Sequence, residues 1–162
     1  MQGNSAAGKA VAMLAVGLVA AAAAVGQDSK PNFSGVWELQ VAKSDFGQFP
    51  APESQTTTVE HKEPKVKLNT RVKTLEGDVA TDFTYTTDGE ENTNDFRGSP
   101  ATSRTRWDGR ELVTDMELEA QGVKFRLKDR WSLSEDGKTW NITRVLASEL
   151  GEVTQKLVLA KK

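Results

Sequence analysis

The sequence predicts an all-β domain, an antiparallel up-and-down β-barrel of about eight to ten strands preceded by a signal peptide. Three Asp-Gly pairs, Asp88-Gly89, Asp108-Gly109 and Asp136-Gly137, each lie between runs that alternate apolar and polar residues. Glycine takes the positive φ of a tight hairpin turn, and aspartate tolerates it better than most residues. The registers these turns imply bring apolar side chains together on one face and opposite charges together on the other. Beyond residue 27 no segment carries a helical apolar stripe. Short, tight connections favour an up-and-down barrel over a Greek key.

At the amino end, residues 10–25 form an uninterrupted apolar run, with only Lys9 and the terminus supplying positive charge before it. Ala24-Val25-Gly26 is a small-residue cleavage pattern, so residues 1–26 are expected to be a signal peptide and 27–162 a single mature domain. The run is Ala-rich, short for a span and lacks a basic stop, so no stable membrane insertion is expected once it is cleaved.

The first strand is expected over 35–42, where Trp37, Leu39 and Val41 share one parity and Glu38 and Gln40 the other. Residues 43–55 form a loop, because Pro50 and Pro52 each lack a donor and restrict the residue before them. Strands follow at about 55–62, 65–75, 78–87, 90–97, 101–108, 110–120, 122–134, 138–148 and 152–160. Glu63-Pro64 turns the second into the third. A two-residue loop at Glu76-Gly77 would set Thr70 opposite Phe83, Leu68 opposite Tyr85 and Arg71 opposite Asp82. One at Asp108-Gly109 would set Arg106 opposite Glu111. A turn at Gln121-Gly122 pairs Glu119 with Lys124, Glu117 with Arg126, Asp115 with Lys128, and Leu118 with Phe125. The turn at Asp136-Gly137 pairs Leu133 with Trp140, Trp131 with Ile142, and Asp129 with Arg144.

The chain has no cysteine. Disulfides, thiolate metal sites, a cysteine nucleophile and a lipoprotein anchor are therefore excluded. The formal charge is −2, without any long block of one sign, so neither nucleic acid nor an acidic membrane surface is an expected partner. His61 is the only histidine, and the several carboxylates a transition-metal site would then need do not cluster. It reads as a polar core or rim residue, and no metal or other cofactor is expected. No Ser/His/Asp set has motif context and no phosphate-binding glycine loop exists, so an enzyme is not expected.

One pair breaks the pattern. Asp129 and Arg144 are in phase with the inward apolar residues around them, and Thr114 and Gln155 add polar groups to the same face. Two readings stand side by side. The pair is a satisfied internal ion pair that pins register, or Arg144 offers its planar fork to an anionic ligand group inside a cavity. The four tryptophans (Trp37, Trp107, Trp131 and Trp140), with Phe83, Tyr85, Phe96 and Phe125, also share inward parity. They are either core or the aromatic wall of a small-molecule site.

Phe33-Ser34-Gly35-Val36-Trp37 resembles the Gly-x-Trp opening of the lipocalin and fatty-acid-binding protein group, the calycins. Glu38-Leu39 and Ser44-Asp45-Phe46 extend the likeness toward the first strand of fatty-acid-binding proteins. The resemblance implies a barrel whose end is closed by Trp37 and whose interior holds a small molecule. Two departures stand out. The region after the first strand is Pro-rich rather than long enough for two helices, and the last strand contains neither Arg nor Tyr. The expectation is a small exported bacterial lipocalin-like protein, periplasmic or secreted. It would bind a hydrophobic or amphipathic, possibly anionic, molecule against Phe83, Tyr85, Thr114, Phe125, Asp129, Trp131, Trp140 and Arg144, with loop 44–52 over one mouth. The alternative is a filled barrel serving as a structural or protein-interaction module of the cell envelope.

Overall fold

The computed structural model describes residues 29–162; the expected signal peptide lies outside them. Ten strands run in chain order: β1 (Gly35–Leu39), β2 (Ser54–Lys62), β3 (Lys65–Thr74), β4 (Gly77–Thr86), β5 (Asp88–Phe96), β6 (Ser99–Asp108), β7 (Glu111–Ala120), β8 (Val123–Leu133), β9 (Thr139–Ser148) and β10 (Gly151–Lys161). They form one antiparallel sheet in the order β4-β3-β2-β1-β10-β9-β8-β7-β6-β5. The ladder between β1 and β10 joins the first strand to the last, with Trp37 opposite Lys161 and Leu39 opposite Leu159. The result is a nearly closed up-and-down barrel.

The barrel's one break lies between β4 and β5, which share no backbone ladder. Side chains bridge them instead. The amide of Asn94 accepts from Thr84 N at 2.7 Å and donates to Thr84 O at 3.0 Å, imitating a strand backbone. Asn92 donates to the Thr86 hydroxyl at 2.9 Å. Asp88-Gly89 is therefore not a hairpin turn, contrary to the sequence reading. Asp88 already pairs with Arg106, the register shifts before Glu91, and Gly89 (φ 82) serves that bulge.

Other registers divide cleanly. Those of β7 with β8 and β8 with β9 are as expected, with Leu118 opposite Phe125, Thr114 opposite Asp129 and Asp129 opposite Arg144. Two hairpins are displaced by two residues. Leu68 faces Phe83 rather than Tyr85, and Asn69, not Arg71, faces Asp82. Gly77 (φ 128) is the first residue of β4, fixed by a 2.8 Å bond from the Thr74 hydroxyl to its carbonyl, so the turn is Leu75-Glu76. Likewise Gly109 (φ 61) is the first turn residue rather than the second, and Arg106 faces Val113. A shift of two preserves parity, so every inward side chain stays inward. β1 also ends sooner than expected, at Leu39, and a single 3₁₀ turn at Val41–Lys43 leads into the loop.

The interior has two unlike halves. At one end it is filled. Phe33 and Trp37 are wholly buried, and Trp140 almost so. Phe33 meets Trp131 and Trp140 edge-on at centroid distances of 5.8 and 5.7 Å, and Trp131 meets Trp140 at 5.0 Å. Such pairs add about 0.5–1.5 kcal/mol each beyond the area they bury. Trp37 donates its indole N–H to Phe33 O at 2.8 Å, and Lys161 lies over its outer side. Trp37 thus seals this end of the barrel.

The segment before β1 is strapped across that end, with most of its hydrogen bonds made to His61. Phe33 N donates to His61 Nδ1, the Asn32 amide and the Ser34 hydroxyl donate to His61 O, and His61 N donates to Ser34 Oγ. His61 is therefore a buried core residue that holds this strap. Trp107, although inward in parity, is only half-buried at the rim and donates to Glu63 Oε1 at 2.9 Å.

Candidate functional site

The other half of the barrel is hollow. A cavity of ≈ 390 Å³ opens between β2–β4 and β7–β9. That volume lies in the roughly 300–1,000 Å³ range of small-molecule sites. Tyr85, Trp131 and Trp140 border it where it meets the filled half, and Phe83 and Phe125 stand on its walls. Thr114, Asp129 and Arg144 line it as well, so all eight residues expected at a site come together around one space. Trp37, expected to close the barrel, lies beyond it in the packed end.

The register explains why. β8 and β9 are opposed so that Asp129 and Arg144 face each other, and alternation then points Trp131, Ile142 and Leu127 the same way. Their side chains form a bidentate pair, with Arg144 Nε 2.8 Å from Asp129 Oδ1 and a terminal nitrogen 2.7 Å from Oδ2. Trp131 Nε1 lies 3.4 Å from the same Oδ2. The Asp129 side chain is 10% exposed and that of Arg144 31%. Burial works against the charge of Arg144, but the Asp129 carboxylate outweighs it and keeps the guanidinium charged. Tyr85 is pushed the other way. Burial, with the Asp129 charge adding and Arg144 opposing, raises its pKa and keeps the phenol neutral.

Hydroxyls pair along the wall: Thr105 with Thr114 at 2.8 Å and Thr57 with Thr70 at 3.2 Å. Two groups stay unpaired among the described residues. The Trp140 Nε1 and Ser103 Oγ atoms are buried without a hydrogen-bond partner. Gln55 and Thr81 add further polar groups, and Leu68, Val72, Val79, Met116, Leu118 and Leu146 make up much of the remaining wall.

Loop 44–52 reaches the mouth. Asp45 and Lys156 exchange backbone bonds of 2.7 and 2.8 Å, and Gln155 donates to Phe46 O at 3.1 Å. The Gln155 amide, expected on the site face, is thus used to anchor the loop. Phe46 packs onto the core, whereas Phe49 lines the cavity and is 41% exposed. Gly47 (φ 62) is demanded there twice over, since a Cβ would lie 2.5 Å from the Val153 side chain.

Glu63, Asn92 and Asn94 carry structural weight the sequence reading did not assign. Glu63 gathers the His61 ring, the Trp107 indole and the Thr87 hydroxyl. The signal for the asparagines is present: both are in phase with Phe96, an inward position where a polar amide needs a reason. No group of three metal-ligating side chains occurs among the described residues, nor does any helix long and apolar enough to cross a membrane.

The ladder closure, the sealed end and the internal cavity define a lipocalin-like β-barrel. Solved structures agree. A secretory abundant heat soluble (SAHS) protein from Ramazzottius varieornatus superposes with a TM-score of 0.59 at 13% identity, over 80% of this chain and 94% of that one. Secretory abundant heat soluble protein 4 from the same organism gives 0.52 at 17% identity, over 82% and 96%. At these identities the likeness is one of fold alone. No protein-family model and no curated protein sequence matches the chain.

Proposed function

We propose that this is an exported, periplasmic or secreted binding protein that holds a small hydrophobic or amphipathic molecule inside its barrel and performs no chemistry on it. The supporting observation is the ≈ 390 Å³ cavity, walled by aromatic and aliphatic side chains with a few polar groups on its wall. A barrel needing only a core would be filled throughout, as the Phe33–Trp37 end is. Here one end is packed to exclusion while the other is left open beneath Phe49.

Native mass spectrometry of gently purified protein tests this reading. A small bound mass, or uptake of added 1-dodecanol, is expected in the natural protein. Ala120→Trp places an indole in the lumen wall and is expected to abolish it. A folded protein that carries nothing and takes up no probe would instead favour a structural or protein-interaction module.

A further inference from the structure

We propose that the cavity selects an uncharged polar head, an alcohol, ester or amide oxygen on an apolar tail, and discriminates against carboxylates and other anions. This deepens the binding reading above and rests on it.

The first reason is charge. Among the described residues Arg144 is the only cation on the cavity wall, and its Nε and one terminal nitrogen are already committed to the two oxygens of Asp129. The pair is neutral as a unit. Among the described residues no other charged side chain lines the space. A ligand carboxylate reaching Arg144 would therefore meet Asp129 at nearly the same distance. The result is two anions around one cation in an apolar wall, where like charges repel strongly. An ammonium head meets the mirror-image problem at Arg144.

The second reason is hydrogen bonding. The side chains of Gln55, Thr57, Thr70, Thr81 and Thr114 put uncharged donors and acceptors on the cavity wall. The Tyr85 hydroxyl belongs to a further side chain on the same wall. Such groups can pair with an alcohol, ester or amide oxygen without any formal charge to balance.

The third reason is that freeing Arg144 is unfavourable. Swinging it toward a ligand anion would strand the Asp129 carboxylate, whose side chain is 10% exposed, with only the long contact from Trp131. A site built to capture anions gains nothing from so tight an internal partner.

The test uses three ligands with one twelve-carbon tail: 1-dodecanol, dodecanoate and dodecylammonium. Each competes with the neutral dye Nile red for the natural protein at neutral pH. Dodecanol is expected to displace the dye at a concentration at least about tenfold lower than either ion. Asp129→Asn leaves Arg144 as an uncancelled cation and is expected to shift preference toward dodecanoate. The double variant Asp129→Asn with Arg144→Gln, neutral again, is expected to restore the alcohol preference and guards against a single variant that does not fold. Dodecanoate binding as well as dodecanol in the natural protein overturns the head-group proposal while the binding reading stands. No displacement by any of the three, with no dye bound, removes both.

Discussion

The backbone N–H of Phe33 donates to His61 Nδ1 at 3.2 Å, and this bond sets the tautomer of the ring. With Nδ1 accepting, the proton sits on Nε2, which donates to Glu63 Oε1 at 2.9 Å. One imidazole thereby links the strap before β1 to the turn after β2, and the wholly buried Phe33 ring rides on that link.

Replacing His61 by phenylalanine keeps an aromatic ring but removes both bonds. The variant is expected to lose about 1–3 kcal/mol in urea unfolding, the cost of leaving a buried donor unmet. Hydrogen exchange at the Phe33 amide should accelerate more than exchange in β8. Unchanged protection there would mean that the Asn32 and Ser34 bonds to the His61 carbonyl hold the strap unaided.

Glu63 makes this end acid-sensitive. Burial pushes its pKa up, but hydrogen bonds from Thr87, His61 and Trp107 outweigh that and leave it below the ordinary value of 4.5. A carboxylate with a lowered pKa stabilises the fold fully above its unfolded pKa and ceases to do so as pH falls through the folded one. The natural protein should lose this contribution from about pH 5 downward. Glu63→Gln should melt lower near neutral pH, and the gap in Tm should narrow by pH 3. A constant gap across that range would show that ionisation of Glu63 is not coupled to folding.

Breaking the Asp129–Arg144 pair on one side should cost more than removing it whole. Arg144→Met leaves a nearly buried carboxylate and is expected to destabilise by roughly 3 kcal/mol, the lower end for a buried pair because Arg144 is partly exposed. Adding Asp129→Leu should recover most of that loss. Purely additive losses in chemical denaturation would mean the two charges do not depend on one another.

The seam yields its own expectation. Asn94→Ala leaves both Thr84 backbone groups without their partner and should cost about 1–2 kcal/mol. Asn94→Asp keeps the acceptor and loses the donor, so it should fall between the two. Exchange of the Thr84 amide reads the effect directly.

The strands and their faces were legible because period-two alternation survives any even slip in register. The same property hid the slips at Gly77 and Gly109: apolar side chains stay inward whether a hairpin is two residues longer or shorter, and only turn geometry decides. The cavity-lining set was legible for the same reason, since Asp129 and Arg144 broke an otherwise apolar parity. The strap on His61 and the Asn94 bridge were not, because both are bonds between a side chain and a distant or unpaired backbone, which leave no period in the sequence. That the barrel is packed at one end and open at the other depends on how far along each strand a large side chain falls. This emerges only when ten strands are staggered together.

The unlaced boundary between β4 and β5 also bears on how the protein behaves in a crowd of its own copies. A sheet edge with idle backbone groups invites strands from other chains, which is one route to fibrils. Here the Asn94 amide already occupies Thr84, so a newcomer would have to evict it. Both flanking strands also present exposed acids: Asp78 and Asp82 on β4, and Asp88, Glu90, Glu91 and Asp95 on β5. If heat parts the seam, each molecule shows its neighbours two negatively charged edges, and mutual repulsion favours reclosure over polymerisation.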